Sequence, residues 1–226
     1  MLARLSTGVG ILFLCTAALF TAGCGGGDKA KLRILNAVPD QSQINVLLDG
    51  TATFNNVAYG IANDYTSTGD GSRHIQVEPA GSTNFIIDEN ITLNGSTNNT
   101  FIAADFSSTS SGILLADDTT APASGNIKLR IANGSPNLGA VDVFIIPPGT
   151  SLNSVSPTIT NLGFRTASDY QSLTAGSYEI FFTPHGSTFA FLDTGAISFT
   201  AGQNRTVVVL NNLSGGFQIT NLPDLN

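Results

Sequence analysis

The strongest constraint on this chain is an internal duplication. Lys31-Leu32-Arg33-Ile34-Leu35-Asn36-Ala37-Val38-Pro39 recurs as Lys128-Leu129-Arg130-Ile131-Ala132-Asn133-Gly134-Ser135-Pro136, an offset of 97 residues. Ile44-Asn45-Val46-Leu47-Leu48 matches Val141-Asp142-Val143-Phe144-Ile145 at the same offset. Farther on the offset is 105: Asn56, Ala62, Asp64 and Tyr65 match Asn161, Ala167, Asp169 and Tyr170. Gly71-Ser72 then matches Gly176-Ser177, and Pro79-Ala80-Gly81-Ser82-Thr83 matches Pro184-His185-Gly186-Ser187-Thr188. The step between the offsets fits a longer loop near Pro147-Pro148-Gly149-Thr150, because loops absorb insertions that strand interiors reject. A unit of roughly 100 residues is too long for a solenoid repeat and suits an independent domain. The polar stretch Asp117 to Gly125 reads as an exposed connector. The expected organisation is repeat 1 over 31–118, a linker over 119–126 and repeat 2 over 127–226.

Each copy reads as a series of short strands. Leu32 and Ile34 alternate with Lys31 and Arg33, and Ile75 and Val77 alternate with His74, Gln76 and Glu78. In the second copy Val141, Val143 and Ile145 form one face, Tyr178, Ile180 and Phe182 another, and Val207 and Val209 a third. Period-two patterning places each set on one side of a sheet. Turn signals such as Asp49-Gly50, Gly69-Asp70-Gly71, Ala80-Gly81, Ala175-Gly176 and Ala201-Gly202 recur between them. Short strands with evenly spaced turns predict β-sandwiches. No segment after residue 30 supports a long amphipathic helix.

The pattern Leu-Arg-Ile-x-Asn-x-x-Pro, then Val-Asp-Val-Phe, Asp-Tyr, Ala-Gly-Ser-Tyr and Pro-x-Gly-Ser-Thr resembles domain of unknown function 4397. The second copy carries Val141-Asp142-Val143-Phe144 and Ala175-Gly176-Ser177-Tyr178 intact. The resemblance covers both copies, from Lys31 to the C-terminus. It implies immunoglobulin-like sandwiches in tandem on a microbial envelope, and no activity. The family often carries His where this chain has Asn36 and Asn133, so any role of that imidazole is absent here. The fold expected is therefore all-β: two tandem immunoglobulin-like antiparallel β-sandwiches after an N-terminal signal helix.

The N-terminus addresses location. Arg4 supplies a positive start, Ile11 to Phe20 an apolar stretch, and small residues lead into Cys24. This is the layout of a secretory signal over residues 1–23, and the apolar run is short for a membrane-spanning helix. The Ala22-Gly23-Cys24 ending resembles a bacterial lipobox, in which the cysteine is acylated and becomes the new N-terminus. Thr21 stands where a lipobox usually has Leu, which favours the rival route, a soluble form cut after Gly23. Lipidation of Cys24 is preferred, because an exported chain seldom keeps one unpaired thiol and Cys15 leaves with the signal. Residues 24–30 then form a lipidated, glycine-rich tether. Gly25 is not Asp, which by resemblance to Gram-negative lipoproteins favours the outer membrane.

Charge and chemistry narrow the rest. The chain carries 9 basic and 16 acidic residues for a net charge of −7, a poor surface for nucleic acid. Asp64-Tyr65 and Asp169-Tyr170 are duplicated, which favours structural tyrosines bonded to backbone near a corner over a ligand site. Arg33 and Arg130 are expected to pair within their own domain, with Asp64 and Asp169 as candidates. His74 and His185, the only histidines, fall at unmatched positions, so neither a shared metal site nor a duplicated base is expected. No serine lies in a Gly-x-Ser-x-Gly elbow. Asp117-Asp118 could recruit calcium at the junction or lie in a solvated turn. A glycan would stack on aromatic rings, but the chain has no Trp and 4 Tyr; Phe54 and Pro147-Pro148 are the loop contacts left.

These readings converge on an envelope-anchored, non-catalytic lipoprotein acting as a structural or protein-binding module. A glycan-binding accessory lipoprotein is the alternative, and a hydrolase with a diffuse site the third. No catalytic residue, metal ligand or cofactor is assigned. The expected partners are the membrane, through the N-terminal lipid, and an envelope protein or glycan.

Overall fold

The computed structural model describes residues 28–225, so the signal segment and Cys24 lie outside the described residues. The first half forms β1 (Lys29–Ala37), β2 (Gln43–Leu48), β3 (Thr51–Ala58), β4 (Thr66–Gly69), β5 (Gly71–Pro79), β6 (Ile87–Leu93), β7 (Asn98–Ala104) and β8 (Ser111–Asp117). The second half repeats the sequence as β9 (Asn126–Asn133), β10 (Val141–Ile146), β11 (Ile159–Leu162), β12 (Gln171–Thr174), β13 (Gly176–Pro184), β14 (Leu192–Phe199), β15 (Asn204–Asn211) and β16 (Phe217–Leu225). One 3-10 turn, Leu152–Ser154, lies in the loop after β10.

The strands make four sheets, ordered β4-β1-β7-β8, β3-β2-β5-β6, β12-β9-β15-β16 and β11-β10-β13-β14. Leu32, Ile34 and Phe101 of the first sheet share a core with Ile44, Val46, Ile75 and Val77 of the second. Leu129, Ile131, Val207 and Val209 do the same with Val143, Ile145, Ile180 and Phe182 in the other half. The all-β sandwich expectation is met. The strand order differs from an immunoglobulin constant domain, where consecutive first strands pair in one sheet. Nor is the pairing wholly antiparallel: β1 runs parallel to β7, and β9 to β15. The physical cause is the route of the chain, which after β1 runs through the facing sheet, lays β4 antiparallel on one side of β1, crosses again and returns on the other side in the direction of β1.

Local chemistry explains the turns. Asp49 and Gly50 join β2 to β3 with φ of 51° and 75°, the backbone of a two-residue hairpin that Asp-Gly favours. Asn56 and Asn161 both have φ of 54°, at matched bulges in β3 and β11. The amide of Asn56 donates to Asn45 Oδ1 at 2.9 Å, and that of Asn161 to Asp142 Oδ1 at 2.8 Å. A polar side chain one strand over thus holds each left-handed kink.

A third apolar cluster joins the halves. Leu35, Ala37, Ile102, Ala104 and Ile113 pack with Ala132, Val208, Leu210 and Leu222. The two inner sheets therefore meet face to face, giving four layers. This explains runs such as Val207-Val208-Val209-Leu210, all fully buried: an inner sheet covered on both faces has no polar side.

Candidate functional site

The inner-sheet contact holds a reciprocal ion network. Arg33 on β1 sits over the Tyr65 ring at 4.5 Å and donates through Nε to Thr100 Oγ1 at 2.7 Å. Its Nη1 donates to the Pro223 carbonyl at 2.6 Å and its Nη2 to Asp224, both on β16 of the other sandwich. Arg130 on β9 sits over the Tyr170 ring at 4.6 Å and donates through Nε to Thr206 Oγ1 at 3.0 Å. Its Nη1 donates to the Ala116 carbonyl at 2.8 Å and its Nη2 to Asp117, both on β8. Each sandwich gives an arginine from its first strand and receives an aspartate from the last strand of the other. That is the pattern of a two-fold contact.

Hydroxyls complete the arrangement. Tyr65 donates to Asp117 Oδ2 at 2.7 Å and Thr100 does so at 2.6 Å. Tyr170 and Thr206 donate to Asp224 Oδ2 at 2.7 Å and 2.6 Å. Arg33 also lies 3.7 Å from Asp117, its own sandwich's carboxylate. All four charged residues are buried, so the two cations and two anions neutralise one another away from water. Burial, and then the charge of Asp117, pushes the Asp224 carboxyl up; Thr206, Arg33 and Tyr170 oppose the rise. Burial likewise drives the Tyr65 and Tyr170 hydroxyls well above the ordinary phenol range, with Asp117 adding to the first. Both phenols stay protonated, as donors, which suits holding charge in place.

Several expectations are corrected here. Arg33 pairs with Asp224 and Asp117, and Arg130 with Asp117; neither uses Asp64 or Asp169, which are exposed. Both tyrosine hydroxyls donate to carboxylates that the inner sheets bury beside them, and that of Tyr170 also accepts from the backbone amide of Asp118 at 3.3 Å, the backbone bond expected. Phe54 is 5% exposed and belongs to the first core, so it offers no loop contact. The signal for the true partners was present in Leu115-Ala116-Asp117 and Leu222-Pro223-Asp224, a third copy-to-copy match at the repeat ends.

The connector is strapped down. Asn204 Nδ2 donates to the carbonyls of Asp118 and Thr120 at 2.7 Å and 2.9 Å. Lys128 Nζ donates to Asp118 Oδ2 at 2.6 Å and to Thr120 Oγ1 at 2.8 Å. Asp117 is held by Arg130, so the two acidic residues considered for calcium already face cations of the chain. Among the described residues no group of three or more His, Cys, Asp and Glu converges as a metal site.

Asn36 and Asn133 are fully buried corner posts. Asn36 Nδ2 donates to the Val57 carbonyl at 3.1 Å, and Asn133 Nδ2 to that of Leu162 at 3.4 Å, linking the two sheets of each sandwich. The histidines each find an aspartate: His74 Nε2 lies 2.5 Å from Asp88 and His185 Nδ1 2.8 Å from Asp142. Burial raises the Asp142 carboxyl, but hydrogen bonds from His185 and the amides of Gly186 and Asn161 outweigh it, and the net shift is downward.

The longer loop of the second copy crosses the outer face of its sheet. Gly149 N donates to Glu179 on β13 at 3.4 Å, and Thr188 Oγ1 donates to Asn153 Oδ1 at 2.7 Å. Phe144, whose parity points it outward from the core of Val143 and Ile145, is 1% exposed. Phe189, next to Thr188, is 77% exposed. A cleft of ≈ 300 Å³ opens elsewhere, on the seam between sandwiches, where Gly60, Ile61 and Asp64 face Thr220, Asn221 and Pro223.

A family model described as a domain of unknown function (DUF4397) matches residues 30–144 and 151–226. The break between the segments, 145–150, takes in the end of β10 and the start of the longer loop of the second copy. No curated protein matches the chain. Among solved structures, a CBM26 module from Eubacterium rectale Amy13K in complex with maltoheptaose is 11% identical over 86% of this chain and 96% of that chain, with a TM-score of 0.28. Family 41 carbohydrate-binding modules from streptococcal virulence factors are 12% identical over 79% of this chain and 93% of that chain, with a TM-score of 0.26. Scores so low carry neither a fold assignment nor a ligand.

Proposed function

We propose a function for a chain that belongs to the family described as domain of unknown function (DUF4397): a lipoprotein of the cell envelope, anchored through Cys24, that acts without catalysis as a stiff structural or protein-binding module. The observation that carries this reading is the exchange of Asp117 and Asp224 between the sandwiches. Beads on a flexible string would keep their buried charges within each bead. Here the charges, the third apolar cluster and the strapped connector make the tandem one body. A stiff body on the glycine tether Gly25-Gly26-Gly27 can present its loops at a set distance from a membrane. The buried arginines, aspartates and tyrosines are spent on this joint, which supports a structural use of the ionisable groups.

The anchoring part is tested by mass spectrometry of the native N-terminus and by fractionation of Cys24→Ser. Acylated Cys24, and release of the variant from the membrane fraction, support it; an unmodified thiol removes it. The binding part is tested by chemical cross-linking in intact cells followed by identification of partners. One recurrent envelope protein supports it, and a protein that cross-links to nothing argues for spacing alone.

A glycan-binding reading has one observation in its favour. Phe189 at 77% exposure and Phe85 at 40% lie on the corresponding loops after β13 and β5. Exposed aromatic faces can stack on sugar rings. A glycan array probed with the wild type and Phe189→Ala decides it: specific signal lost in the variant favours the glycan.

A further inference from the structure

The seam cleft has an internal control, because the two-fold relation supplies the same corner twice. Gly60 and Arg165 occupy matching positions, each preceded by an aromatic residue, Tyr59 and Phe164, and followed by the Asp64 and Asp169 pair. Both have left-handed backbone, with φ of 73° and 62°, which glycine adopts freely and arginine does not. Arg165 is held there because its guanidinium crosses the seam. It donates to Asp105 Oδ2 at 2.8 Å and to the Thr109 carbonyl at 2.7 Å, and lies 5.1 Å from the Phe164 ring centre. At that corner a guanidinium bridges the two sandwiches.

At the other corner there is no side chain to do so. A Cβ on Gly60 would stand 3.4 Å from Gln218 Nε2 and 3.8 Å from both Leu210 Cδ1 and Thr220 Oγ1, which is ordinary contact. Beside Gly60 opens the ≈ 300 Å³ cleft. Its walls offer Ile61, 59% exposed, as an apolar shelf and Asp64 as an exposed carboxylate. Among the described residues no cation pairs with Asp64. Arg33 at the floor is already committed to Thr100, the Pro223 carbonyl and Asp224, so its charge is balanced. An anion would find no free positive partner here; a cation with an aliphatic stem finds both a counter-charge and a surface.

We infer that the cleft receives a basic side chain, arginine or lysine, from a protein partner, with its charged head toward Asp64 and its stem along Ile61. The net charge of −7 favours approach of such a partner. This rests on the reading of the chain as a protein-binding module, and adds where the partner docks and which chemistry it brings.

The test is a titration of the isotopically labelled mature chain, without lipid, followed by amide chemical shifts. The probe is N-acetylarginine methylamide, and the control is the citrulline analogue, the same shape without charge. Saturable shifts concentrated at Gly60–Asp64 and Thr220–Pro223, absent with the citrulline compound, support the inference. Asp64→Asn then weakens binding about two- to fivefold, the range of an exposed charge pair. Gly60→Arg sets a guanidinium of the chain's own at the cleft's edge and weakens binding further. Shifts spread over acidic residues generally, equal binding of the neutral analogue, no saturation, or an unchanged affinity in Asp64→Asn overturns it. Asp64 is exposed, so that variant folds even if Gly60→Arg does not. Because neither membrane nor envelope protein is present, failure of this titration is distinguishable from failure of the anchoring or cross-linking experiments.

Discussion

Arg33 and Asp224 lie 191 residues apart in the chain and meet as a buried ion pair between two different sandwiches. Arg130 and Asp117, 13 residues apart, make the mirror pair across the connector. Removing one partner leaves a charge stranded away from water. Arg33→Ala should therefore cost about 3–5 kcal/mol in denaturant unfolding. Replacing Arg33 and Asp224 together by Met and Leu should cost far less than the sum of the single changes, since buried pairs exchanged for apolar groups of similar volume are often neutral. Additive losses in that double-mutant cycle would show that the two side chains are not coupled.

The joint also predicts cooperativity. With the third cluster intact, the whole chain should melt in one calorimetric transition whose van't Hoff and calorimetric enthalpies agree. Leu210→Ala, at a fully buried position of that cluster, should cost about 2–5 kcal/mol. Residues 127–226 alone would expose Ala132, Val208, Leu210 and Leu222, and should associate in size-exclusion chromatography. Two separate transitions in the intact chain would mean that the halves are independent.

Asp142 sets a pH dependence with a defined sign. Its folded value lies below its ordinary one, because the hydrogen bonds from His185, Gly186 and Asn161 outweigh burial. A depressed carboxylate stabilises the fold at pH above its unfolded value of about 3.9, and that contribution is lost as pH falls through the folded value. The Asp142 contribution should be constant near neutrality and fall on acidification below about pH 4. Asp142→Asn should shallow that fall. Asp224 works in the opposite sense, because its raised carboxyl is better tolerated when protonated. Carbon-13 titration of the two carboxyls separates them.

The left-handed residues test the bulges. Asn161→Val should lose about 1–2 kcal/mol, because a β-branched side chain resists positive φ. Asn161→Gly should remain close to the wild type in the same thermal melts, since glycine takes that backbone freely. Equal losses in the two variants would place the effect in the Asn161 side chain and not in its backbone.

Much of this was legible in the residues. The duplication, the strand periodicity and the Asp49-Gly50 hairpin are local or near-local signals, and they survive in the structure. The parallel β1–β7 pairing was not legible, because period-two alternation says which face is buried and nothing about strand direction. Leu35, Ile102 and Val208 were unexplained by one sandwich core; only a second covered face accounts for them. Asp64 is not the Arg33 partner because the repeats are not self-sufficient: each buried arginine crosses to the other sandwich. Asp117 reads as connector from its polar neighbours, yet it ends β8 and matches Asp224, just as Thr100 matches Thr206. The seam cleft leaves no mark in the duplication, because Gly60 against Arg165 is a difference between the copies.

A contact in which each half lends what the other lacks can also be made by strangers. A shorter relative holding a single unit would carry one arginine and one aspartate on the same exposed face, and could complete both bridges only by finding its twin. Fusing the twins through a brief connector turns that dilution-sensitive encounter into an internal one, with local concentrations in the millimolar range. The assembled form then persists however sparsely the molecules are scattered over a surface.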